Sequence, residues 1–365
     1  MKKYLLSIAV LMAATISFTS CDDDDDSKTC PTPVIPRYGV YVINEGNLNK
    51  QINGTLDFLG YDVANDTYSM TDSIFEKVNG RSLGGTPNDA LIFSDSLLCI
   101  AVADENRIEF VNTITKKASA AVTIKQPREL AYESGSNYLY VSSYTGKVYK
   151  IDMTTRTIAG ESEKVGANLE GIAVAGNKLY VCNSCNPDYT YNKNVVELNA
   201  NTLAKNQDIE VVDNPVDVIN AGSAIFILSM GNYADKPATV QMLKDGQLST
   251  IGNATMMAYN AYNDQLYMIN APFGGDKEYK VYNLKNGQTT TFLTNPDIFS
   301  PYSLAVNPVN GDVFITSLTK NPDTGYADYT ADSKLYRYTS AGTLLGTYDC
   351  GVNPGTIVCD SYYQK

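Results

Sequence analysis

Apolar and polar residues alternate along this chain in short runs, and the runs recur. Each has a lead-in residue, two or three apolar or aromatic residues, and then an alternating stretch. The copies begin at Gly39 (GVYVINE), Leu97 (LLCIAVA), Tyr138 (YLYVSSY), Lys178 (KLYVCNS), Ala224 (AIFILSM), Gln265 (QLYMINA) and Asp312 (DVFITSL). Their successive offsets are 58, 41, 40, 46, 41 and 47 residues. Period-two alternation marks strands, and this spacing is that of four-stranded propeller blades. Upstream of most copies lies a short segment that opens with Pro and a polar residue: Thr86-Pro87-Asn88-Asp89, Gln126-Pro127-Arg128-Glu129, Asn214-Pro215-Val216-Asp217, Ser300-Pro301-Tyr302-Ser303 and Asn353-Pro354-Gly355-Thr356, with Asn168-Leu169-Glu170 as a variant. Pro is tolerated at the first residue of a strand. The sixth copy departs, with Thr255-Met256-Met257 and no Pro. Downstream come a second alternating strand, such as Lys147 to Asp152, a tight turn, and a last strand, as around Lys244-Asp245-Gly246.

Each blade therefore reads as strands A, B, C and D. The copy at Gly39 has no A strand ahead of it, and Asn353 to Asp360 looks like an A strand with no blade of its own. Pairing the two closes a ring and leaves no long open edge. The expected fold is an all-β, seven-bladed β-propeller of four strands per blade, closed by the C-terminal strand and spanning 37–365.

Strand direction sorts the loops. The A–B and C–D turns share one face and are short turn formers, such as Asn310-Gly311 and Asp245-Gly246. The D–A and B–C loops share the other face, and they are longer and rich in Tyr, Asn and Asp. Long loops on a rigid scaffold are where binding concentrates, and Tyr offers wide contact area with a hydroxyl at its tip. The candidate rim comprises Glu45, Asn47, Asn88, Asp104, Arg128, Tyr144, Glu170, Tyr189, Tyr191, Asn232, Tyr233, Phe273, Tyr302, Tyr326 and Tyr329. The acids that open A strands (Asp89, Glu129, Glu170, Asp217) either line the central channel or cap local backbone groups, and capping is the preferred reading.

Composition narrows the chemistry. The chain has no His, which removes Ser-His-Asp and Cys-His catalysis and the commonest metal ligand. It has no Trp and 27 Tyr, so any stacking surface is built from Tyr and Phe. No paired carboxylates read as catalytic, so binding rather than catalysis is expected. Cys182-Asn183-Ser184-Cys185 has zinc-like spacing but no second pair, and it forms a disulfide only if its strand ends by Ser184. Cys350 and Cys359 fall on consecutive strands and could pair in an oxidising compartment. Asp62, Asp66, Asp104 and Asp188 form no calcium loop, and no metal site is expected. The net charge of −12 disfavours nucleic acid.

The N-terminus reads as targeting. A basic start, an apolar run from Tyr4 to Ile16 and small residues before Cys21 form a secretory signal over 1–20. Cys21 sits as in a bacterial lipobox, with Phe18 in place of the usual Leu, and is the expected lipidation site. Asp22 to Asp26 and a Pro-rich spacer complete a tether over 21–36. The acidic run resembles the one that directs lipoproteins of Bacteroidetes-type bacteria to the outer face of the outer membrane.

With Tyr38-Gly39-Val40-Tyr41-Val42-Ile43-Asn44-Glu45-Gly46-Asn47 as its most specific piece, the chain resembles the YncE-like, YVTN-type propellers from Arg37 to Cys359. With its leader, it is similar to propeller lipoproteins of gut Bacteroides, among them the BtuG-type proteins. That resemblance implies a non-catalytic surface lipoprotein that binds cobalamin (vitamin B12) as ligand and passes it to a TonB-dependent transporter. It would be held to the membrane by its anchor alone, and monomeric outside the transporter complex. No cofactor is expected. The alternative is a glycan-binding or adhesion propeller.

Overall fold

The computed structural model describes residues 38–361 except 63 and 95. The expected signal, the lipidation site at Cys21 and the tether lie outside the described residues.

Seven four-stranded antiparallel sheets are present. Six are built from consecutive strands. The seventh takes its inner strand from the end of the chain, where Pro354–Ser361 pairs with Tyr38–Asn44. The other inner strands are Pro87–Phe93, Pro127–Tyr132, Asn168–Ala175, Pro215–Asn220, Met256–Asn260 and Ser300–Val306, in blades 2 to 7. The fold is the expected seven-bladed β-propeller.

The B strands are apolar on both faces because each lies between two neighbouring blades. In Leu97–Val102 of blade 2, Cys99 and Ala101 pack toward blade 3, while Leu98, Ile100 and Val102 pack toward blade 1. The core is accordingly divided into seven clusters, one between each pair of adjacent blades. The cluster at the seam between blades 7 and 1 is the smallest, with six buried side chains against eight to twelve elsewhere.

A polar lock supplements that small cluster. Asp57, on the C strand of blade 1 (Thr55–Asp62), is only 1% exposed. Its carboxylate accepts from Asn44 Nδ2 at 2.8 Å, from the Ser73 N–H at 2.8 Å, and from the Gly351 N–H of blade 7 at 2.9 Å. A Cβ at Gly351 would come within 2.8 Å of Asn44 Nδ2, so any larger residue there would push against the Asn44 amide that donates to Asp57.

The described cysteines form no pairs. Lys178–Cys185 is one continuous strand, and Cys182 and Cys185 are both free thiols. Cys350 and Cys359 are also free. They lie in different sheets, on the outer strand of blade 7 (Leu344–Val352) and the inner strand of blade 1. Both border the seam cluster between blades 7 and 1, on strands of different blades, without pairing.

Candidate functional site

One local device shapes the rim. In six of the seven blades the pairing of strands A and B slips just after the lead-in residue. Blade 6, which lacks the Pro, pairs without a slip. A bulge frees a residue from the ladder and re-aims its side chain. The residues freed in this way include Asn88, Arg128, Glu170, Val216, Tyr302 and Gly355, and all of them line the axial cavity. In four blades the residue before the Pro is held at positive φ: Thr86 (48°), Gln126 (46°), Asn214 (62°) and Asn353 (54°). Each is strained, and the carbonyl of each accepts from the neighbouring B–C loop, through the N–H of Ala103, Tyr144, Met230 and Glu45. The inner strands and the B–C loops are thus fastened to one another on one face.

The cavity at the channel mouth holds about 470 Å³. Its polar side is stitched from blade to blade. Thr356 Oγ1 donates to the Asn88 carbonyl at 3.0 Å, and Asn88 Nδ2 donates to the Arg128 carbonyl at 3.1 Å. Arg128 Nε donates to Glu170 Oε2 at 2.9 Å, and its guanidinium lies 4.3 Å from the centroid of the Tyr144 ring. The Tyr144 hydroxyl donates to the other oxygen of Glu170. Across the mouth, the Tyr302 hydroxyl donates to Glu45 Oε2 at 3.0 Å. Val216, Met256 and Met257 of blades 5 and 6 supply an apolar side.

The channel acids correct the sequence reading, since capping alone does not account for them. Asp89, Glu129, Glu170 and Asp217 all line the cavity, although Asp89 does accept from the Leu130 N–H at 2.9 Å. Burial in the narrow channel pushes Asp89 up to about 7 and Asp217 up to about 6. Burial raises Glu129 as well, reinforced by the neighbouring charges of Asp217, Asp89 and Glu170. Burial likewise raises Glu45.

Of the fifteen sequence-chosen residues, Glu45, Asn88, Arg128, Tyr144, Glu170 and Tyr302 converge on the mouth. The others stand on the surrounding B–C loops. Six of these are exposed aromatics on blades 4 to 7: Tyr189 (80%), Tyr191, Tyr233, Phe273 (94%), Tyr326 and Tyr329. Two pairs bridge neighbouring blades, Tyr191 with Tyr233 at 5.9 Å and Phe273 stacked on Tyr326 at 6.0 Å. Asn47, Asp104 and Asn232 are occupied in bracing loops. Asn47 caps a short 3₁₀ turn and donates to the Tyr329 carbonyl, Asp104 accepts from Thr86 Oγ1, and Asn232 accepts from the Ala234 and Lys236 N–H groups. Sequence reasoning missed Met256, Met257, Ser303 and Thr356 as lining residues. Met256 stands directly after the lead-in residue and Met257, Ser303 and Thr356 one position further, and that place was the available signal.

No family model matches the chain, and no curated protein matches it in sequence. Among solved structures, the chain is similar to hydrazine synthase of Kuenenia stuttgartiensis. The TM-score is 0.58 at 16% identity, covering 74% of this chain and 89% of that one. Likeness at that identity shows the propeller fold and nothing of the chemistry. Among the described residues, no cluster of His, Cys, Asp and Glu could hold a metal ion, and no helix is long and apolar enough to cross a membrane.

Proposed function

We propose that this protein is a non-catalytic capture propeller, that its ligand is cobalamin or a related corrinoid, and that the ligand seats over the channel mouth. One observation carries the reading: exposed aromatics from four successive blades stand beside a polar, hydrogen-bonding cavity on the same face. Apolar surface this exposed marks a binding region. A corrinoid presents broad apolar ring faces edged with amides. Tyr and Phe rings cover such faces, while carboxylates and Tyr hydroxyls pair with amide edges. With no His in the chain, capture leaves the cobalt ligands in place.

In this reading, lipidation at Cys21 and the acidic tether hold the propeller at the outer face of the outer membrane. There a monomeric propeller passes its ligand to a TonB-dependent transporter. Titration calorimetry of the mature protein with cyanocobalamin tests it. Saturable one-to-one binding supports the reading, and no heat with no shift in melting temperature refutes it.

The stacked Phe273–Tyr326 pair also suits the apolar face of a sugar ring. A glycan array that gives saturable binding, on a protein silent to cyanocobalamin, would establish that second reading.

A further inference from the structure

We propose that the outward edge of the Arg128 guanidinium is an anion subsite that takes the phosphodiester of the bound ligand, with Glu170 and Tyr144 as its positioning residues. This deepens the corrinoid reading and rests on it.

Arg128 is the one cation among the described residues that line the mouth cavity. Its Nε is committed to Glu170 Oε2, and its plane is fixed against the Tyr144 ring. Tyr144 in turn donates to Glu170, so all three side chains hold one geometry. Within the described residues no hydrogen bond engages Nη1 or Nη2, and the side chain keeps 17% of its surface open. A guanidinium held by its inner edge presents two parallel N–H donors outward, and that fork matches the paired oxygens of a phosphate. Because it is held before the ligand arrives, little freedom is lost on binding.

The surrounding carboxylates do not cancel this site. Glu170 and Arg128 form a neutral pair, and both line the cavity. The carboxyls of Asp89 and Glu129 in the same cavity are held toward their neutral form by burial, and a neutral carboxyl can donate a hydrogen bond. Glu45, also raised by burial, and Asp217, raised to about 6 and so charged near neutral pH, line the same cavity, so the fixed guanidinium fork rather than the net charge of the mouth is what selects an anion.

The experiment compares two ligands on the mature protein. Cyanocobalamin carries the phosphodiester, whereas dicyanocobinamide keeps the corrin ring and lacks the nucleotide loop with its phosphate. Arg128→Gln should weaken cyanocobalamin about 10- to 100-fold, the range for a hydrogen bond to a charged group. It should leave dicyanocobinamide within about twofold. Tyr144→Phe should give a smaller loss, again confined to cyanocobalamin. If Arg128→Gln does not fold, Arg128→Lys keeps the charge without the fork and should show the same selective loss at reduced size. An equal loss for both ligands, or no loss for either, overturns the subsite while leaving the corrinoid reading intact. Failure of the wild-type protein to bind either ligand removes that reading, and the subsite with it.

Discussion

Replacing Asp57 with Ala should open the ring at its seam before it harms any other blade. The side chain receives three hydrogen bonds, and one of them comes from the Gly351 N–H on the last blade. Each bond to a charged acceptor contributes about 1.5 kcal/mol, so their loss costs about 4–5 kcal/mol. Burial raises the pKa of Asp57 despite these bonds, so removing the buried carboxylate recovers part of that cost. The net loss should be about 3 kcal/mol. For a domain of this size the unfolding entropy is about 0.7 kcal/mol/K, which converts that loss to a fall in Tm of about 4 °C. The assay is calorimetry with hydrogen exchange on Pro354–Ser361 and Tyr38–Asn44. Asp57→Ala should accelerate exchange there selectively. Glu197→Ala is the control, because Glu197 is also buried but accepts only from its own blade, from Lys178, Asn206 and Gln207. A Tm within about 1 °C of wild type, or equal acceleration in the control, refutes the argument that this carboxylate locks the ring.

Deleting residues 354–365 should abolish folding, because blade 1 loses its inner strand and the ring its closure; circular dichroism and gel filtration check this. Phe273→Ala combined with Tyr326→Ala should weaken ligand about 10-fold with Tm unchanged, since both rings are exposed and their cost falls on binding; calorimetry reads both quantities. Stability should fall as pH rises from about 5 to 8. Asp89 and Asp217 titrate near 7 and 6 in the fold and near 4 when unfolded, so their contribution is full below about pH 4 and is lost as pH rises through the folded values. Carboxyls held low, such as Asp62 and Asp188, are already ionised in that window. Asp89→Asn should flatten the profile in thermal melts taken across it, and an unchanged profile counts against the channel placement.

The repeat was legible because the B strands are buried on both faces and so read as dense apolar runs. The copies at Leu97, Tyr138, Lys178 and Gln265 begin at the observed strand starts, and Gly39, Ala224 and Asp312 lie one residue away. Six mouth residues were legible because each belongs to a segment whose place in the blade the repeat fixes. What the repeat does not encode is which side chain a bulge turns toward the axis. For that reason Asp89, Glu129 and Asp217 read as local caps, and Met256 and Met257 passed unnoticed. The Asp57 lock was illegible for another reason: its partner at Gly351 lies 294 positions away and meets it only once the ring closes. The loops of Asn47, Asp104 and Asn232 carry polar side chains suited to binding, but their own turns and neighbouring loops consume the hydrogen bonds. Composition cannot separate those two uses.

In the proposed reading, the loop chemistry of one rim, over the channel mouth, holds the ligand. A crystal structure of the mature protein with cyanocobalamin tests it most directly. One molecule should seat against Arg128 and Tyr302, with its corrin face on the aromatics of blades 4 to 7. Density for the ligand on the opposite face, or between the outer edges of two blades, would contradict it.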